Sequence, residues 1–262
     1  MSVQKSWSEM EKMARACRIV LDTLDVLEQA ARPGVTTKEL DRIARERIQR
    51  AGARPAFLGY RGFPASLCVS VNEEIVHGIP GPRKLREGDI VGLDLGCVVD
   101  GFYGDSARTV AVGRISEEAR RLMRVTEEAL HAAIEVCRPG KRVGDVGWAV
   151  QSHAEGNGYT VVKEFVGHGI GTKLHEEPQV PNYGPPGRRE RLVPGMTLAI
   201  EPMVNAGGAE VEMLEDGWTA VTRDGRLSAH FELSVAVTPF GPWILSEPYP
   251  YAGEREAEAR HA

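Results

Sequence analysis

An Asp-Gly pair at residues 100 and 101 separates two β-prone runs, Ile90 to Val99 and Phe102 to Val112, and no other stretch constrains the fold so tightly. Asp-Gly between such runs is a strong hairpin signal, because a tight two-residue loop needs positive φ at both positions. The spacing predicts strands near 90 to 99 and 102 to 112, with Val99 paired to Phe102. In that register Asp94 sits opposite Ala107, and Asp105 lies diagonally from Asp94 on the same face. The rest of that face is Gly96, Val98, Tyr103 and Ala107. Two carboxylates in such surroundings are costly to bury, and one must stay protonated unless a cation lies between them. A divalent metal is the simplest answer. The plainer alternative has one Asp serving a turn while the other faces solvent, so further ligands must decide.

A chain of 262 residues with 42% hydrophobic content can bury a full core in one large domain or two small lobes. Its net charge of -5, from 32 Lys and Arg against 37 Asp and Glu, argues against a DNA-binding surface, which needs a dense basic stripe. Cys17, Cys68, Cys97 and Cys137 show no metal-finger or Cys-x-x-Cys spacing, which fits reduced thiols in the cytoplasm. The N-terminus has no apolar signal core, and no run is long enough to span a bilayer, so neither secretion nor membrane insertion is expected.

Apolar residues from Trp7 to Leu27 recur at three and four residue intervals, predicting an amphipathic helix that stops before Arg32-Pro33-Gly34. Thr36 and Glu39 form a capping box for a second helix, ended by Gly52. A short strand is expected after Pro55. Ser116 caps a third helix that stops at Arg138-Pro139-Gly140, and a fourth runs to about Glu155. Strand-like pieces follow at 160 to 166, 196 to 201, 209 to 214, 219 to 222 and 229 to 238. The second Arg-Pro-Gly follows the first by 139 - 33 = 106 residues, and Glu201 follows Asp94 by 201 - 94 = 107. Matching offsets imply an internal pseudo-twofold, with halves of about 1–113 and 114–252 in one domain of 1–252 and a charged tail at 253–262. A site at their join would draw ligands from both.

If Glu201 mirrors Asp94, a second acid should mirror Asp105, and Glu232 is the candidate. Strand alternation puts Phe231, Leu233, Val235 and Val237 on one face and Glu232 on the other, where it either faces solvent or serves the site. Glu201 ends the apolar run Met196 to Ile200 and precedes Pro202, a poor place for an idle charge. His168 is bracketed by glycines in Val166-Gly167-His168-Gly169-Ile170-Gly171, and His175 follows in Leu174-His175-Glu176-Glu177-Pro178. A lone His is more often a structural hydrogen-bonder than a ligand. Four carboxylates with one imidazole, however, make an oxygen-rich set suited to Mn, Fe, Co or Zn.

Asp94, Asp105, His168, Glu201 and Glu232, set in Leu-Asp-Leu-Gly, Tyr-Gly-Asp-Ser, Gly-His-Gly-Ile-Gly, Ala-Ile-Glu-Pro and His-Phe-Glu-Leu, resemble the five metal ligands of type I methionine aminopeptidases. Asn72-Glu73-Glu74-Ile75-Val76-His77-Gly78-Ile79-Pro80 and His175 to Val180 also look like family signatures, and the resemblance covers roughly residues 8 to 245. It implies an α/β (α+β) pita-bread fold, two related halves of helices and antiparallel sheet around a dinuclear metal site. The spacing from His168 to Glu201 leaves no room for the helical insertion of type II relatives, and the chain looks like the short bacterial form.

The resemblance further implies two divalent cations, Co, Mn, Fe or Zn, with Asp105 and Glu232 bridging, Asp94 chelating one ion, and His168 and Glu201 completing the other. The implied reaction removes the initiator methionine of nascent polypeptides after deformylation, where the second residue is small and uncharged. In it a metal-bridging hydroxide attacks the peptide carbonyl. Glu201 would take the proton of the water, His175 would stabilise the oxyanion and His77 would contact the scissile amide. Tyr60, Phe63, Cys68 and Trp218 would line the methionine pocket. Phe57, Arg61 and Leu174 depart from the family's usual Cys, His and Phe, which bears on pocket size and rim charge. A monomer is expected. Relatives touch the ribosome through a basic loop, but Gly207 to Glu215 is neutral to acidic here, and Arg188, Arg189 and Arg191 read as a solvated face. Two competing readings are a catalytically silent binding module, which would have lost ligands, and a proline-directed peptidase of the same fold, which usually carries an extra N-terminal domain.

Overall fold

The computed structural model describes residues 4–253, and its first helix is set by a capping box in which Ser6 N–H donates to the Glu9 carboxylate at 2.7 Å while Glu9 N–H donates to Ser6 Oγ. Helices α1 (Trp7–Ala30) and α2 (Thr37–Arg50) precede strands β1 (Arg54–Pro55), β2 (Cys68–Val71), β3 (Glu74–Val76), β4 (Ile90–Val99) and β5 (Phe102–Ala111). Helices α3 (Glu117–Val136) and α4 (Val143–Gly156) precede β6 (Thr160–Val161), β7 (Gly167–Gly169), β8 (Glu176–Val180), β9 (Thr197–Ile200) and β10 (Met203–Asn205). Then come β11 (Val211–Met213), β12 (Ala220–Thr222), β13 (Ser228–His230), β14 (Glu232–Val237) and β15 (Pro242–Ile244). Among the described residues no helix is long and apolar enough to cross a membrane. The charged tail from Glu254 onward lies outside the described residues.

The main sheet runs β1-β4-β5-β14-β9-β7-β8, with β2 also on β4 and β15 also on β14. Its hairpin has the expected register, with Val99 opposite Phe102, Asp94 opposite Ala107 and Gly96 opposite Asp105. Asp100 and Gly101 take φ values of 50° and 82°, as a tight hairpin loop requires. Along β4, Val91, Leu93, Leu95 and Cys97 join Val20, Leu24, Leu27, Leu40 and Ile48 in a core beneath α1 and α2. Along β14, Val235 and Val237 join Leu122, Val125, Ala129, Val146 and Val150 in a second core beneath α3 and α4, with Leu233 packed at its edge. The alternation that buries these residues turns Asp94, Asp105 and Glu232 to the opposite face.

Four local expectations change. Only half of the α2 capping box forms: Thr36 Oγ1 accepts from Glu39 N–H at 3.2 Å, while the Glu39 carboxylate turns to the Arg42 guanidinium, a charged donor that outcompetes a backbone amide. The first short strand is Arg54–Pro55 itself, paired to β4, rather than a segment after Pro55. The run expected over 160 to 166 pairs only at Thr160 and Val161. The run over 229 to 238 divides at Phe231, where the chain leaves β10 and joins β5 and β9.

Candidate metal centre

Asp94, Ala107 and Glu232 form one row across β4, β5 and β14, because Ala107 pairs with both acids. The small Ala side chain leaves space between the two carboxylates. Asp105 stands one diagonal step away. Its backbone is tied to β14 twice: Ser234 Oγ donates to the Asp105 carbonyl at 2.8 Å and accepts from the Asp105 N–H at 3.3 Å. Glu201 follows the last residue of β9, and Asn182 Nδ2 donates to its carbonyl at 2.9 Å. His168, on β7 opposite Ala199, has Nδ1 2.9 Å from the Gly169 carbonyl. A proton on Nδ1 donates there and leaves Nε2 with a free lone pair, 3.5 Å from Glu201 Oε1.

These groups are buried without adequate partners. Asp94 Oδ1, Asp105 Oδ1 and Glu232 Oε1 have no hydrogen bond, although each is shut off from solvent. Burial, and then the neighbouring acids, pushes the Asp94, Glu201 and Glu232 carboxyls well above the usual range, and burial pushes Asp105 up to about 7. Burial, and then His175, takes His168 down to about 3, so it stays a neutral donor. Asp105, His168 and Glu232 each offer a ligand atom within 4.8 Å of the others. Orphaned carboxylate oxygens converging on a neutral imidazole are the donor set that a divalent transition metal satisfies.

Two further histidines, His175 and His77, line the same cavity as the acids. His175 Nδ1 is 2.6 Å from Tyr60 Oη, and its ring centroid is 4.2 Å from that of His168. Burial first, then Arg61 and His77, lowers His175 to about 4. His77 takes a positive φ of 63° and packs edge-on to Phe165, with Trp218 beyond. Phe63 and Trp218 meet edge to face at 5.1 Å. The five metal candidates, together with His77, His175, Tyr60, Phe63, Cys68 and Trp218, all line one cavity of about 280 Å³. Phe57, Arg61 and Leu174 line it too.

Residues 11–239 match the profile of metallopeptidase family M24. This chain belongs to family M24. It is 52% identical over 246 residues to a methionine aminopeptidase of Clostridium perfringens, covering 94% of this chain and 99% of that one. The crystal structure of methionine aminopeptidase from Rickettsia prowazekii matches at a TM-score of 0.93 and 41% identity, covering 94% of this chain and 100% of that one. Prolidase from Pyrococcus furiosus matches at 0.76 with 22% identity, covering 94% of this chain and 66% of that one, a likeness of fold alone. The architecture is the pita-bread fold of M24 peptidases, as the motifs led one to expect.

Several residues at this site carry no motif of their own. Phe165 lines the cavity, and His230 is buried with Nε2 3.8 Å from Glu201 Oε2 and no hydrogen bond. His230 stands two residues before Glu232, and strand alternation was the signal that could have found it. Asn182 and Ser234 carry no local signal, because their partners lie on distant strands.

Proposed function

We propose that this M24 peptidase removes the N-terminal methionine from polypeptides whose second residue is small and uncharged, after deformylation, in the cytoplasm. The observation that carries the reading is the cavity itself, in which orphaned carboxylates at one end adjoin a pocket of aromatic rings and a thiol at the other. Asp94, Asp105, His168, Glu201 and Glu232 would hold two divalent cations, of Co, Mn, Fe or Zn, with Asp105 and Glu232 shared between them. Bound there, the ions supply Lewis acidity and a water of lowered pKa.

The chain's own groups do the rest. Glu201 accepts the proton of the attacking water. Tyr60 Oη lies 2.6 Å from His175 Nδ1; in the tautomer that carries its proton on Nε2, His175 accepts from Tyr60 O–H and donates Nε2–H to the developing oxyanion. His77 contacts the scissile amide. Tyr60, Phe63, Cys68 and Trp218 take the methionine side chain, whose thioether makes favourable contacts with aromatic rings. Burial, and then Asp94, raises the Cys68 thiol well above its usual pKa, so it acts as a pocket wall and not as a nucleophile. Residues 1–252 act as one catalytic unit with halves of about 1–113 and 114–252, joined where β5 pairs with β14 and where β3 pairs with β12, and the protein works as a monomer that touches the ribosome only transiently.

Peptide turnover by the Mn-loaded protein tests the reading. Met-Ala-Ser is expected to be cleaved far faster than Met-Leu-Ser or Arg-Pro-Pro, with Leu-Ala-Ser disfavoured by roughly 10-fold to 200-fold, the discrimination a hydrophobic pocket achieves for near-isosteres. N-formyl-Met-Ala-Ser is expected to be inert. Rapid cleavage of Arg-Pro-Pro without preference for methionine would favour the proline-directed alternative, and no turnover under any of the four metals would favour a silent module.

A further inference from the structure

The segment 171–177 leads from β7 into β8 and brings Leu174 and His175 to the cavity wall. Its anchor is Glu176. One carboxylate oxygen accepts from Lys173 N–H at 3.1 Å and lies 3.4 Å from Thr172 Oγ1; the other accepts from the Lys5 ammonium. The Lys5 and Glu176 side chains are only 4% and 8% exposed, so this ion pair is closed to water although it joins positions 171 residues apart. The Lys5 stem crosses Gly171, where a Cβ would stand 2.3 Å from Lys5 Cε. Lys5 is itself fixed from behind, its N–H donating to the Gly195 carbonyl at 2.7 Å.

A buried ion pair with this many supports holds its geometry more firmly than an exposed pair, and removing one partner strands the other charge. The only residue between Glu176 and Leu174 is His175. We propose that Lys5 is a positioning residue for peptide cleavage: through its buried ion pair with Glu176 it fixes the 171–177 segment so that His175 meets the scissile carbonyl. The inference rests on the oxyanion role given to His175 above. Displacing a catalytic group by about 1 Å can cost about 100-fold, so modest relaxation of this segment is enough to be read in kcat.

Four Mn-loaded proteins, wild type, K5M, H175A and K5M/H175A, are compared on Met-Ala-Ser, with metal content and Tm measured for each. K5M is expected to lower kcat by about 10-fold to 100-fold with KM and metal content nearly unchanged. H175A is expected to lose about 100-fold to 1,000-fold. Because Lys5 acts through His175, the double variant is expected to match H175A within about 2-fold, a strongly non-additive cycle. If K5M does not fold, K5M/E176Q removes both charges, strands neither, and serves in its place with and without H175A. Impaired H175A beside K5M with normal kcat, even at lowered Tm, overturns the inference alone, as does full multiplication of the two losses. Normal turnover by H175A overturns the role of His175 and the inference with it.

Discussion

Asp105 has its backbone committed to Ser234 and its Oδ1 committed to nothing, so the carboxylate is the part of the residue left to bind a ligand. Asp105→Asn keeps the shape and removes the charge. It is expected to abolish peptide turnover and at least one equivalent of bound metal while circular dichroism stays native; a folded variant holding two metals with near-normal kcat would sink the bridging assignment. The same burial makes an acid-base prediction. A carboxyl whose folded pKa is raised contributes stability below its unfolded pKa, near 4, and that stability is lost as pH rises through the folded value. For Asp105 that window runs from about 4 to about 7, and Asp94, Glu201 and Glu232 shift in the same direction. The buried imidazoles of His168 and His230, both lowered to about 3, act in the opposite sense and cost stability as pH falls below the ordinary His range. A bound cation replaces the protons that the acids need, so the gain in Tm on adding Mn is expected to be larger at pH 8 than at pH 5. Calorimetry on metal-loaded and chelated samples reads that difference, and an equal gain at both pH values would contradict it.

The β4–β5 hairpin owes its position to α1 as much as to its own turn. A Cβ at Gly104 would stand 2.5 Å from the backbone N of Cys17 and 2.7 Å from the carbonyl carbon of Ala16, so only glycine lets the helix lie this close. Gly104→Ala is expected to push α1 outward at a cost of about 1 to 3 kcal/mol, read by urea denaturation, and to weaken metal binding because Asp105 is the next residue. Unchanged stability would mean that the helix adjusts freely. The hairpin was legible in the sequence down to its register because Asp100-Gly101 fixes the loop and a period of two fixes the rest. The helices were legible from their caps and apolar spacing. β7 and β8 were not, since Gly167-His168-Gly169 has no strand-forming side chain and pairs only because Ala199 and Gln179 lie on either side. The break at Phe231 was hidden for a related reason: its neighbours change from β10 to β5 and β9, a change made by distant strands and not by the local pattern. The acids and His168 could be picked out by chemistry and motif, while Asn182 and Ser234 needed the third dimension, because the groups they bond lie on distant segments.

The metal candidates divide between strands that precede α3 and strands that follow it. Asp94 and Asp105 come from β4 and β5, whereas His168, Glu201 and Glu232 come from β7, the end of β9 and β14. The two larger cores follow this division, one beneath α1 and α2 and one beneath α3 and α4, while a smaller cluster joins Met10, Met13 and Phe102 to Ile170, Ala236 and Trp243 across it. Within the main sheet, direct strand pairing between the groups is short, since β5 and β14 register only at Ala107 with Glu232 and Ser106 with Leu233, and outside it β3 pairs with β12 at Val76 with Ala220 and Glu74 with Val221. A cation held by ligands from both groups therefore adds a link at the β5–β14 seam of the main sheet, where the strand pairing is short. Bound ligand stabilises by about 2.7 kcal/mol at a free concentration 100 times its dissociation constant, and that gain is shared by every element whose opening releases the ligand. Hydrogen exchange with and without Mn is expected to show added protection in β4 and β5 and equally in β9 and β14, with little change in α2 or in the β11–β12 hairpin. Protection confined to β4 and β5 would place the ion on Asp94 and Asp105 alone, and protection confined to β9 and β14 would place it on Glu201, Glu232 and His168; in either case the shared site at the β5–β14 seam would be wrong.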